Sequence, residues 1–269
     1  MKEFSIIANQ VRASRTTMKP NTEIHSFYLE IAGQLEKLAE NKASKARLDW
    51  FKQQHKNSTN KAYGIKAASV RKLIKNHTHQ FKQLDLNDKL DLAKEFYKSR
   101  FFEQTIVGDA LVEFSAESMA PANFALLDDV VSFFSNWASV DWLCLHVMQP
   151  LLLQYKEATL ELLRKWNRSE NMWKRRASVV TFVRKIGSSG KFTETVLEFC
   201  DNLVWDEEDL VRKGVGWALK DSIASDKKRI LEYIKSLRRK GVSSKITLYA
   251  IQDLKGKERR EVLQAKPRV

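Results

Sequence analysis

From Thr22 onward the chain reads as one amphipathic helix after another, joined by links so short that consecutive helices must pack side by side. The first opens at Thr22-Glu-Ile-His-Ser-Phe-Tyr-Leu. Apolar residues then recur at helical spacing over 67–76, 85–98, 105–115, 123–135, 140–154, 156–167, 170–186, 191–204, 209–224, 227–240 and 245–254. The connectors carry start and stop residues: Ser169-Glu-Asn, Gly187-Ser-Ser-Gly190 and Ser225-Asp226. Nine Gly and four Pro in 269 residues are too few for the many tight turns of an all-β chain, so the expected class is all-α.

An internal match sharpens this. Laying 172–185 (MWKRRASVVTFVRK) over 209–222 (DLVRKGVGWALKDS) aligns Arg175 with Arg212 and Arg176 with Lys213 at an offset of 37. That period lies close to those of two-helix solenoid repeats. The expected architecture is therefore HEAT-like hairpins stacked into a curved solenoid with a concave basic face, as one domain over 23–263. A non-repetitive helical bundle is the alternative. Residues 1–22, basic and containing Pro20, read as a mobile arm or an extra N-terminal helix.

Charge points to the partner. The net charge is +14, and residues 212–269 hold 17 Lys and Arg against 6 Asp and Glu, so most of the excess lies in the last fifth of the chain. Fixed positive charge attracts and steers polyanions, either nucleic acid or an acidic membrane surface. No apolar run is long enough to cross a bilayer, and the opening MKEFSIIANQVRASRTT turns polar too early for a signal peptide. Cys144 and Cys200 lie in apolar helical patterns without a CxxC partner, which suits free buried thiols in a reducing compartment such as the bacterial cytoplasm. With no heptad run, a monomer is expected.

Several chemistries find no support. His77-x-His79 is the one close histidine pair, and no second ligand cluster accompanies it. His146 shares a helix with Cys144, but no pattern marks a catalytic Cys–His pair. There is neither a GxGxxG nor a Walker loop. The sequence thus speaks against a metal, a nucleotide cofactor or a catalytic triad, and no cofactor is expected.

What remains is an aromatic and acidic set. Trp137 and Asp141 in SNWASVDWL stand four apart, on one helix face. Trp173-Lys-Arg-Arg176 and Gly216-Trp217-Ala-Leu-Lys220 follow at hairpin-like intervals. Each has a plain structural reading too. Trp137 serves as well for core packing, and Asp141 as well for a salt bridge to an arginine of the next hairpin, with Arg176 as the partner. Trp142, Trp173 and Trp205 read as core.

The set has a chemical use. An N3- or N7-alkylated purine is cationic, so its glycosidic bond is already weakened, and breaking it moves positive charge onto the deoxyribose. A fixed carboxylate stabilises that charge and orients the attacking water. Indole faces favour cationic surfaces, and arginine grips the flanking phosphate.

The segments SNWASVDWL, MWKRRASVV and VRKGVGWALKD, with AYGIKAASVRKLIK (62–75) upstream, resemble the AlkD-type DNA alkylation repair family over roughly residues 25–260. The resemblance implies HEAT-like repeats and a metal-free glycosylase that releases 3-methyladenine and 7-methylguanine from double-stranded DNA without flipping the base. It gives Asp141 the role of catalytic carboxylate. Trp137 and Trp217 become the cleft tryptophans facing the sugar, and Arg176 the cleft arginine. Lys213, Lys220, Arg212, Lys227, Lys228 and Arg229 are the expected DNA-binding cations. Lys220 stands where many members carry Arg, which keeps the charge and loses the bidentate fork. Ala138 replaces an acidic residue often found there. Two other readings compete: a non-catalytic DNA binder for bent or branched DNA, and a scaffold for acidic proteins.

Overall fold

The computed structural model describes residues 22–56 and 58–267, so the expected arm lies outside the described residues except for Thr22. Among them every regular element is helical apart from one isolated bridge, Lys61 to Phe101. The chain divides into two compact units, with the boundary between Ser139 and Val140, inside a helix.

In the first unit the helices are α1 (Thr22–Lys42), α2 (Lys45–Gln54), α3 (Ala67–Gln83), α4 (Leu86–Lys98), α5 (Phe102–Ser115) and α6 (Phe124–Val131). Helix α3 buries Val70, Leu73, Ile74, His77 and Phe81, so its apolar stripe runs past residue 76, where the expected helix ended. Helix α4 starts at Asp85, whose side chain accepts from the Asp88 N–H at 2.8 Å. Helix α5 is buried on nearly every face because α3 and α4 both pack on it. The Glu103 carboxylate at its start accepts from the Tyr63, Gly64 and Ile65 N–H groups at 2.8–3.1 Å, fixing the loop before α3. His77, weighed above as a ligand, is buried, with its ring nitrogens on Gln80 (2.7 Å) and Gln34 (3.1 Å).

Helix α7 (Trp137–Leu143) runs into a π-helical turn, Cys144–Met148, and then α8 (Gln149–Gln154). The second unit continues with α9 (Lys156–Asn167), α10 (Met172–Val180), α11 (Lys185–Ser188), α12 (Thr193–Leu203), α13 (Asp209–Ser222), α14 (Lys227–Arg239), α15 (Ser244–Ala250) and α16 (Gly256–Gln264). Helix α13 is its centre, packed by α10, α12 and α15. Asn171 caps α10 through the Trp173 N–H, and Asp226 caps α14 through the Arg229 N–H, as the connectors predict. At Gly216 a Cβ would meet the Tyr249 Cβ at 2.9 Å and the Ile246 carbonyl at 3.0 Å, so only glycine admits this approach of α13 to α15.

The offset of 37 is kept in three dimensions: α10 and α13 begin at 172 and 209. Polar ties between successive hairpins also recur at similar separations. Asn167 to Phe199 spans 32 residues, Asn202 to Asn167 spans 35, and Arg184 to Asp221 spans 37.

Several further expectations need correction; the helix expected over 123–135, for one, ends at Val131. The helix expected over 140–154 contains the π-turn, and the one over 170–186 stops at Val180. Residues 178–183 (SVVTFV) are rich in β-branched side chains with weak helix preference. The segment 245–254 ends at Ala250 and is followed by α16. Helix α2, with Phe51 alone buried, has too thin an apolar stripe to be read from periodicity. Cys144 and Cys200 are free and buried, and burial pushes the Cys144 thiol up to about 12.

Candidate active site

Three helices build the site around Asp141. Asn136 starts α7 by accepting the Ser139 N–H at 3.0 Å, which sets the register that projects Asp141 one turn after Trp137. From α10, Arg176 donates to Asp141 Oδ1 from Nη2 (2.7 Å) and Nε (3.1 Å), and to Oδ2 from Nη2 (3.1 Å). Its remaining Nη1 donates to the Leu210 carbonyl, in the first turn of α13, at 2.5 Å. The salt-bridge reading of Asp141 is therefore realised, with the partner expected for it.

This pair is secluded: the side chains of Arg176 and Asp141 keep 6% and 15% of their exposure. Arg176 spends its donors inside the protein, so here it orients the carboxylate instead of presenting a cation to solvent. Oδ2 holds one 3.1 Å bond and retains lone-pair capacity for a water or a cationic group. Burial pushes the Asp141 carboxyl above its ordinary range, while the charge and hydrogen bonds of Arg176, and then the charge of Arg184, pull it back down.

Arg184 is the residue that the sequence reading missed. It lies in the break between α10 and α11 at φ 56°, ψ −129°, a region nearly reserved for glycine. Its guanidinium sits 5.9 Å from the Trp217 ring, as a cation–π pair. Its backbone N–H donates to Asp221 Oδ2 at 2.6 Å. The carbonyls of Thr181 and Val183, left over by the break, accept from Gln149 Nε2 at 3.1 and 3.0 Å. Gly187 is part of the same device: a Cβ there would meet the Phe182 carbonyl at 2.5 Å. A positive-φ arginine carries no one-dimensional signal, which is why spacing could not find it.

The other expected residues fall as follows. Trp217 is half-buried on α13, and Trp137 is half-buried at the start of α7, within the first unit. Lys220, one turn after Gly216, ion-pairs with Asp253 at 3.3 Å and Asp221 at 3.5 Å. Arg212 donates to the Asp206 carbonyl (2.5 Å) and Asp209 (3.3 Å), whereas Lys213 is exposed. On α14, Lys227 pairs with Glu258 at 3.0 Å and Arg229 with Glu194, beside an exposed Lys228. Trp205 is corrected from core to surface: it is 62% exposed in the α12–α13 turn, where Asp206 is held by Arg175 at 2.6 Å. Trp142 is half-buried and stacks on His146 at 4.0 Å, and Trp173 is also half-buried.

Among the described residues no helix is long and apolar enough to cross a membrane. Comparison with solved structures finds a predicted DNA alkylation repair enzyme from Enterococcus faecalis at a TM-score of 0.66 and 16% identity, covering 79% of this chain and 97% of that one. The fold is thus shared. No curated protein sequence matches. The sequence model of the DNA alkylation repair enzymes matches residues 31–254, and the chain belongs to that family.

Proposed function

We propose that the protein is a DNA glycosylase that hydrolyses the N-glycosidic bond of cationic N3- and N7-alkylated purines in duplex DNA, by a metal-free route. The observation that carries this reading is the Asp141 carboxylate. It is largely buried and aimed by Arg176, whose helix leads into the break where Arg184 lies over the Trp217 ring. In a family of alkylation repair enzymes, a secluded carboxylate suits a transition state in which positive charge grows on the sugar.

In this mechanism the alkylated base leaves as a neutral purine, so no general acid is needed. Asp141 stabilises the oxocarbenium-like sugar and orients the water that attacks the anomeric carbon, taking up its proton as the new C–O bond forms. Trp217 and Trp137 present their faces to the deoxyribose, the roles that the resemblance gives them. Arg184, which is exposed, and Lys213 are offered to the flanking phosphates. The test is direct: methylated duplex is incubated with the protein, and free 3-methyladenine and 7-methylguanine are quantified. Release by the wild type and not by Asp141→Asn supports the reading; equal release by both overturns the mechanism.

One observation favours a second reading. The ion pair with Arg176 gives Asp141 a structural use of its own, so the same geometry serves a non-catalytic DNA binder. That protein shifts duplex or branched DNA at low salt and releases no base.

A further inference from the structure

The break between α10 and α11 has no counterpart in the α13 repeat. Helix α13 continues through the positions 37 residues on, to Ser222. Where the chain leaves the helix, two side chains from other helices take over its backbone groups. Gln149 of α8 donates to the Thr181 and Val183 carbonyls, and Asp221 of α13 accepts from the Arg184 N–H. Between them they hold a non-glycine residue at φ 56°, a strained conformation that persists only where the surroundings over-determine it. The result is specific. Asp221 and Trp217 are four apart on α13, so the helix that fixes the Arg184 backbone also carries the indole beneath its guanidinium.

We propose that Asp221 and Gln149 are positioning residues: they clamp the 181–184 break so that Arg184 is seated on Trp217. The inference deepens the glycosylase reading and rests on it for its catalytic consequence, but its structural half stands alone. Released from Asp221, Arg184 relaxes to negative φ and its guanidinium leaves the indole.

The test uses the full chain labelled with 5-fluorotryptophan, with the Trp217 ¹⁹F resonance assigned through Trp217→Phe. Asp221→Ala is expected to move that resonance about as far as Arg184→Ala does. The double variant is expected to move it no further, which separates an effect through Arg184 from a direct effect of the neighbouring carboxylate. Asp221→Asn, which keeps an acceptor oxygen for the Arg184 N–H, restores most of the wild-type position. Asp253→Asn removes the other partner of Lys220 and leaves the resonance in place. On methylated duplex, Asp221→Ala lowers the single-turnover excision rate about tenfold, with Kd shifted no further than Arg184→Ala shifts it. If Asp221→Ala does not fold, Gln149→Ala carries the same comparison with Arg184→Ala. An unmoved Trp217 resonance, or additive shifts in the double variant, overturns the proposal. If the wild type releases no base, the glycosylase reading fails while the ¹⁹F shifts still decide the clamp.

Discussion

Arg176 meets Asp141 through two nitrogens, with Nη2 at 2.7 Å and Nε at 3.1 Å from the same carboxylate oxygen, and it anchors its other end on the Leu210 carbonyl. The proposed catalysis and the stability of the fold thereby rest on the same pair. Replacing Asp141 with Asn is expected to reduce base excision about 10²–10³-fold, the scale lost with one well-placed electrostatic group. It also leaves a buried guanidinium without its counter-charge, so the variant's melting temperature falls. Excision is to be measured well below that temperature, with duplex binding followed by anisotropy. Unchanged binding with lost excision is the expected pattern.

The same pair predicts a difference between single and double replacement. Arg176→Met strands a buried carboxylate and is expected to destabilise the fold by about 3–5 kcal/mol in urea unfolding. Arg176→Met combined with Asp141→Leu removes both charges and is expected to recover much of that loss. Additive losses in the double variant count against an energetically coupled pair.

The pH dependence of excision follows from the direction of the Asp141 shift. Burial raises this carboxyl, and the mechanism uses its ionised form, so the rate declines on the acid side with a midpoint above the ordinary aspartate range. Arg176 is the largest influence that lowers it, so Arg176→Met is expected to move the acid limb to higher pH. Single-turnover excision between pH 4.5 and 8.5 in both proteins checks this; coincident acid limbs contradict it.

How much of this could be read from the chain depends on what kind of signal each feature leaves. The packed helices were legible because Val70, Leu73 and Ile74 repeat at helical spacing, and because Asn171 and Asp226 stand where helices must start. The Asp141–Arg176 tie was legible as an alternative because carboxylate and guanidinium recur at the hairpin interval. Arg184 was not. Its role comes from a backbone break held by Gln149 and Asp221, residues that look like any polar helix surface until the fold brings them together. Trp205 misled for the opposite reason: after buried Leu203 and Val204 it continues an apolar run, yet the chain turns there toward Asp206 and exposes it.

The cations of the C-terminal fifth divide by their partners. All four named here are exposed, but Lys227 and Arg229 are ion-paired with Glu258 and Glu194, whereas Lys213 and Lys228 act on Asp209 and Glu232 through their charge alone. Each cation that neutralises a phosphate contributes about 0.9 to the slope of log K against log salt. Lys213→Ala is expected to lower the slope for duplex binding by about 1, uniformly across sequences. Lys227→Ala is expected to change it less, because Glu258 already offsets that charge. Titrations at several salt concentrations measure both slopes, and equal changes count against the distinction.

Asp109, buried in the first unit, supplies a stability test with a definite sign. Burial pushes its carboxyl from 3.8 up to about 7, although the Ser139 and Tyr97 hydroxyls favour the ionised form; Tyr97 Oη donates to it at 2.9 Å. The fold therefore prefers the protonated acid. That preference is fully present below about pH 4 and is lost as the pH rises through about 7, an interval corresponding to about 4 kcal/mol at most. Asp109→Asn keeps the shape and removes the titration. Relative to the wild type, its unfolding free energy is expected to increase by a few kcal/mol between pH 4.5 and 7.5, so that the variant becomes the comparatively more stable protein. Urea unfolding of both proteins at the two pH values measures the difference, and a difference that does not change with pH shows that Asp109 is ionised in the fold throughout.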